Sequence, residues 1–334
     1  PAMDTLTKPI SAPRRRTTAD TVYPILLLVS VTHLLNDMMQ SVIPAVYPLL
    51  KAKFGFSFAQ IGLITLVFQM TSSILQPFVG RYADRHPRPY SLAAGMCFTL
   101  AGLFALALAP GFAPILLAVA LIGWGSSIFH PESSRVAQLA SGGRKGLAQS
   151  IFQVGGNAGS AFGPLLAALV VIPYGQTSIM WFAPAALLAI GILLRIGNWY
   201  KRQLNAATAA PVTATAAAAE LPRRKIRRAL LILTVLVFSK YFYIACMTNY
   251  FTFFLMDKFA FSVQDAQYSL FAFLAASAAG TVIGGPLGDR IGRKYVIWGS
   301  ILGAAPFALM LPYAGSGSAV ALAILVGLII SSAF

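Results

Sequence analysis

Apolar residues run along this chain in long blocks separated by short polar intervals. The hydrocarbon core of a bilayer is about 30 Å thick and needs roughly 20 residues of helix. That ruler predicts spans near 22–50, 58–80, 90–109, 114–139, 147–172 and 177–199. A second set follows near 229–256, 264–286, 295–313 and from 318 onward, about ten spans in all. Pro44, Pro164, Pro184 and Pro306 fall inside these blocks and predict kinks, which neighbouring helices can re-satisfy in a membrane. The fold class expected is an all-α membrane protein.

The blocks are duplicated. Residues 53–57 read KFGFS and 258–262 read KFAFS, and at the same offset of 205 Gly80–Arg88 (GRYADRHPR) returns as Gly285–Arg293 (GPLGDRIGR). Two ungapped matches in one register imply two halves with the same layout. The expected organisation is a cytoplasmic tail over 1–21, a six-helix half over 22–199, a flexible cytoplasmic linker over 200–228 and a second half over 229–334. The linker is rich in Ala, Thr and Pro and ends in a basic cluster, a composition suited to flexibility. The second half stops in mid-span, so the sequence is expected to be shorter than the functional protein.

Composition narrows the class. Hydrophobic residues make up 57% and charged residues 10%, against about 25% charged in soluble domains. The net charge of +16 does not point to nucleic acid, because the basic residues are spread between apolar runs rather than gathered on one face. With the N-terminus in the cytoplasm, 19 of the 25 Lys and Arg residues fall in inner segments and only Lys51, Lys53 and Lys258 in outer ones, the bias expected of cytoplasmic loops. Cys97 and Cys246 lie in apolar runs of different halves and are expected to be reduced packing residues.

Charges inside spans are the candidate chemistry. Asp37 and Glu132 are the acids that fall within spans, and Arg135 and Lys240 are basic residues there. A charge at the bilayer centre costs about 2.5–3.5 kcal/mol on insertion scales, so such residues usually serve function and face an interior cavity. His33 lies one turn before Asp37 with Asn36 adjacent, and His130 two residues before Glu132. A carboxylate in an apolar site can exchange protons near neutrality, so Asp37, Glu132, His33 and His130 are expected to couple protons. Lys240 and Arg135 can neutralise an anionic solute, with Asn36, Gln153, Asn157, Tyr241, Tyr243 and Asn249 orienting it. Glu132 and Arg135, three residues apart, fit a structural ion pair equally well, and the histidines fit neutral packing. No metal-ligating pair and no nucleophile beside a base were found at helical spacing. The expectation is therefore a non-enzyme without metal or cofactor, driven by a proton gradient.

The repeated loop carries a resemblance. Gly285, Leu287, Gly288, Asp289, Arg290, Gly292, Arg293 and Lys294 resemble the signature loop of the major facilitator superfamily nearly residue for residue. The first copy keeps Gly80, Asp84, Arg85 and Arg88 but has Pro87 where the family favours Gly. The resemblance implies two pseudo-symmetric six-helix bundles around a cavity that opens alternately to either side, the second bundle incomplete here, in a monomer that moves a small molecule. An acid followed by bases in a short inner loop can pair and cap helix ends, so these residues are expected to latch the two halves in one state.

Further motifs sharpen the resemblance. Gly155, Gly159 and Gly163 recur every fourth residue before Pro164, leaving a bare face that another helix can approach. GSAFGP resembles the antiporter motif of drug-exporting facilitators, although Ala167 and Ala168 stand where its full form has two glycines. Val119 occupies the fourth-span position where such antiporters usually carry an arginine, so coupling must draw on other charges. H-x-x-N-D at 33–37, HPESSR at 130–135 and Q-x-x-x-Q-V-G-G-N at 149–157 resemble the fosmidomycin-resistance branch of the superfamily, bacterial inner-membrane exporters. That implies proton-driven export of a small anionic phosphonate. Proton symport of a sugar phosphate or organic anion stays open as the alternative.

Overall fold

A computed structural model describes residues 20–208 and 223–333. Among them, nine helices are long and apolar enough to cross a membrane: α1 Tyr23–Phe54, α2 Phe58–Arg85, α3 Ser91–Leu108, α4 Phe112–Leu139, α5 Lys145–Tyr174, α6 Gln176–Ala206, α7 Arg224–Phe259, α8 Val263–Gly284 and α9 Lys294–Tyr313. A shorter apolar helix, α10 Ser316–Ile330, follows. The chain is a multi-pass membrane protein. Of the expected linker, residues 200–208 and 223–228 are helical, and 209–222 lie outside the described residues, as does the tail up to residue 19.

The repeated KFGFS and KFAFS stretches are the turns that join the first two helices of each half. Gly55 ends α1 in the left-handed region at φ 68°, and Ala260 takes the matching place after α7 at φ 55°. Glycine adopts this conformation freely, whereas alanine pays about 1–2 kcal/mol for it. Ser57 then caps α2 in a reciprocal box with Gln60. Ser262 caps α8 by accepting from the Asp265 amide at 3.1 Å. The duplication is thus a helix stop followed by a helix start.

The prolines act unequally. Pro44 precedes a break in α1 at Val46, Pro164 a π-turn over Ala167–Val171, and Pro184 sits where α6 passes from a 3-10 turn into α-helix at Ala183. Pro306 and Pro131 lie inside unbroken helices, so α4 does not open at Pro131. Cys97 and Cys246 are free and exposed on the surface rather than packed inside, because their places in the apolar runs face outward from the bundle.

The two halves meet at the end that carries these turns. Phe58 stands edge-on to Phe253 with centroids 5.2 Å apart, and the Thr65 hydroxyl donates to Asn249 at 2.9 Å. The Gln267 amide donates to the Ala45 carbonyl at 2.7 Å and that of Gln264 to the Ala168 carbonyl at 3.3 Å. Both carbonyls belong to irregular turns, beside the Val46 break and in the π-turn, where regular helix bonding is interrupted. From these contacts a cavity runs between the halves along α2 toward Gln76 and the end bearing the basic loops.

Candidate functional site

The cavity has a volume of about 530 Å³ and is lined from both halves, by α1, α2, α4 and α5 on one side and α7 on the other. Its walls mix polar side chains with a larger share of apolar surface and are almost uncharged. Asp37 and His130 carry its ionisable chemistry, and neither Lys nor Arg is among the lining residues.

Asp37 is held by three side chains. His33 Nε2 lies 3.2 Å from its Oδ2, His130 Nε2 lies 3.4 Å from its Oδ1, and the Asn36 amide donates to Oδ1 at 3.0 Å. His33 comes from the previous turn of α1, and His130 reaches across from α4. The Asp37 side chain is 17% exposed and that of His130 27%, both toward the cavity, while His33 is buried behind them.

The close approach of α1 to α5 sets this geometry. A Cβ on Gly155 would stand 2.0 Å from the Ser30 carbonyl oxygen, and one on Gly159 would stand 2.2 Å from that of Leu34. A Cβ on Gly163 would meet the Ser41 hydroxyl at 1.9 Å, and one on Gly156 the His33 ring at 2.3 Å. With no side chains in the way, His33 stacks on Phe152 at a centroid distance of 4.0 Å and places Nδ1 2.8 Å from the Phe152 carbonyl. Ser30 donates to the Ile151 carbonyl at 2.7 Å. Pro164 is buried in the same face.

Other expected site residues separate. Tyr241 and Asn249 line the cavity, whereas Lys240 turns away from it. Successive helical residues point about 100° apart, and the Lys240 ammonium donates to the Ala333 carbonyl just past α10 at 3.0 Å. Tyr243 packs against the apolar core of the second half. Gln153 donates to Asn157 at 3.1 Å, and neither is among the lining residues.

Glu132 and Arg135 form a separate network outside the residues that line the cavity. Arg135 Nη1 donates to Glu132 Oε1 at 2.8 Å, Nη2 reaches Asp84 and lies 3.4 Å from the Gly80 carbonyl, and Ser91 donates to Glu132 Oε2 at 3.2 Å. Asp84 was expected to latch the two halves, but its ion pair ties the first loop to α4 of the same half, because α4 ends beside that loop. Arg85, Arg88 and Arg290 are exposed, and the surroundings of Gly285 and of the Asp289 and Arg293 side chains lie outside the described residues. Glu132 is 1% exposed, so Arg135→Ala strands a buried carboxylate. Breaking such a pair costs about 3 kcal/mol or more. Membrane yield and melting temperature are expected to fall, with recovery in Arg135→Ala/Glu132→Gln; an unchanged Arg135→Ala melt would contradict a structural pair.

The cavity wall on α2 was not anticipated. Gln69, Ser72, Ser73 and Gln76 line it around a π-turn at Met70–Ile74, an irregularity frequent at functional sites. The Ser73 and Ser72 hydroxyls donate to Gln69 Oε1 at 3.2 and 3.4 Å, and the Gln76 amide donates to the Ser72 carbonyl at 2.9 Å. The available signal was five neutral polar residues, Thr71 among them, within eight positions of an otherwise apolar block.

Two helical halves enclosing a polar, membrane-embedded cavity with a clamped carboxylate define a polytopic carrier of small solutes. Residues 29–334 match the Major Facilitator Superfamily, and the chain belongs to that family of transporters. It is 57% identical over 334 residues to the Fosmidomycin resistance protein of Escherichia coli (strain K12), covering 100% of this chain and 82% of that one. It is 43% identical over 330 residues to the Uncharacterized MFS-type transporter YfnC of Bacillus subtilis (strain 168), covering 97% and 81%. Among solved structures it resembles a bacterial homolog of the human lysosomal transporter Spinster in an inward-facing, occupied conformation, with a TM-score of 0.73 and 15% identity over 94% of this chain and 73% of that one. The D-xylose-proton symporter follows at 0.66 and 16%, over 94% and 80%. At these identities the structures speak for the fold alone.

Proposed function

We propose that the protein exports a small anionic antibiotic of the fosmidomycin kind across the bacterial inner membrane, coupled to protons and by alternating access, as a monomer with its N-terminus in the cytoplasm. The observation that carries this reading is the Asp37 carboxylate clamped between His33 and His130 on the wall of the cavity. An acid and two imidazoles at hydrogen-bond range can take up and pass on protons without leaving a bare charge in an apolar bundle. The proton gradient is the energy source, and no cofactor is needed. The 57% identity to a fosmidomycin resistance protein supports both the solute class and the outward direction.

In this reading the cavity faces the cytoplasm, since the halves touch at the opposite end. Solute enters along α2 and meets Gln69, Ser73 and Gln76 on one wall and Tyr241 and Asn249 on the other. Their hydroxyls and amides bond a compact oxygen-rich molecule without the desolvation cost of fixed charges.

Proton symport of an anion is the second reading, and one observation favours it. His130 is the cation-capable side chain on the cavity wall, and it is positive only with its proton aboard, so a proton and an anion could travel together. Inside-out vesicles separate the two. With an acidic interior, an antiporter accumulates drug and a protonophore abolishes this; accumulation only when the gradient is reversed would overturn the export reading.

A further inference from the structure

The two histidines present the same atom to the same point. His33 Nδ1 lies 2.8 Å from the Phe152 carbonyl and His130 Nδ1 lies 3.1 Å from the Ser126 carbonyl. A carbonyl only accepts, so the His33 Nδ1 carries the hydrogen, and the Ser126 carbonyl favours the same tautomer at His130, whose Nδ1 also lies 3.2 Å from the Ser126 hydroxyl. Each Nε2, in the neutral ring, is then a bare lone pair, and both lone pairs face the oxygens of one carboxylate. Such an arrangement is completed by a proton on the imidazoles or by a metal ion shared among the three groups, and a carbonyl on the far nitrogen is how proteins orient metal-binding histidines.

The distances fit a metal ion. Bonds of about 2.0–2.1 Å at tetrahedral angles put neighbouring ligand atoms about 3.3–3.4 Å apart. His33 Nε2 lies 3.2 Å from Oδ2 and His130 Nε2 3.4 Å from Oδ1, the two oxygens of one carboxylate, and one donor atom from each of the three residues lies within 4.8 Å of the others, near enough for a small side-chain rotation to bring all three onto one ion. Two imidazoles and a carboxylate suit Zn²⁺ and its d-block neighbours rather than Mg²⁺ or Ca²⁺. Asp37 and His130 border the cavity, which supplies both an entry path and an open fourth position. The His33–Asp37 pair has the helical spacing that was overlooked in the sequence; the third donor could not be read there, since it lies on α4.

We infer that His33, Asp37 and His130 form a binding site for a Zn²⁺-class cation, and that the bound cation arrests transport by pinning α1 to α4. The arrest rests on the proton-coupled reading above; the binding does not. Isothermal titration of the purified full chain in detergent with Zn²⁺ alone is expected to show one site with a dissociation constant in the micromolar range. His130→Ala should weaken it by about tenfold or more, the usual loss with a ligand or its support. His86→Ala should leave it unchanged, because His86 is an exposed loop residue. Co²⁺ in place of Zn²⁺ should give the intense visible absorption of four-coordinate cobalt, and Mg²⁺ should give no heat.

In inside-out vesicles, micromolar Zn²⁺ should stop drug accumulation by the wild type. Zn²⁺ affinity that is absent, equal in His130→Ala, or lost in His86→Ala would overturn the site. Binding with the expected variant pattern, in vesicles that never accumulate drug, would instead sink the transport reading and spare the site.

Discussion

Asp37→Asn is expected to reduce proton-driven drug accumulation in inside-out vesicles by about 100-fold, the scale on which loss of a proton-transfer group slows a proton-dependent step. The substitution keeps the size of the side chain and offers His33 and His130 an oxygen, so the bundle should assemble at normal yield. What it removes is an acid able to gain and lose a proton between two imidazoles. Drug binding in detergent should change far less than transport, because the solute contacts on α2 and α7 are untouched. If Asp37→Asn vesicles accumulate drug at the wild-type rate and with the wild-type response to pH, the cluster does not couple transport.

The second large effect is on assembly. Gly159→Ala places a Cβ 2.2 Å from the Leu34 carbonyl oxygen, which is backbone and cannot rotate away. The helices must part, at an overpacking cost of about 1–3 kcal/mol, with the Ser30 and His33 bonds to α5 lost in addition. The expected result is a melting temperature lower by roughly 10 °C, if each kcal/mol is worth a few degrees in a chain of this size. Because His33 is positioned by that approach, the protein that survives should transport poorly. Gly146→Ala is the control, since a Cβ there meets nothing within 4 Å. Equal melts for the two variants would show that the stripe does not pack α1 on α5.

How far the sequence alone reached follows from which residues obey local rules. The KFGFS repeat was legible because a left-handed stop and a serine cap are written in consecutive residues, and it located the same turn in both halves. His33 and Asp37 were legible because one helix turn joins them. Lys240 was misplaced because depth along a helix says nothing of its azimuth: Tyr241, one residue on, faces the cavity while Lys240 faces α10. Arg135 was misplaced for a different reason. Its partners Asp84 and Gly80 are about fifty positions away in sequence, and nothing local reports that α4 ends beside the first loop. Gln264 and Gln267, which fasten the closed end, were passed over because their acceptors are backbone carbonyls freed by irregular turns in another half.

These corrections change the electrostatics of the account. With Lys240 and Arg135 both engaged elsewhere, no fixed positive side chain among the lining residues meets the solute. Under the proposed function, recognition falls to hydroxyls, amides and His130, and charge compensation to whatever occupies the His33–Asp37–His130 cluster.

Proton movement during transport is therefore the most direct test. Purified protein in liposomes carrying an internal pH indicator, with an imposed drug gradient and no other driving force, should move protons opposite to the drug, and Asp37→Asn liposomes should stay silent. Protons travelling with the drug, or no pH change while the drug crosses, would contradict the account.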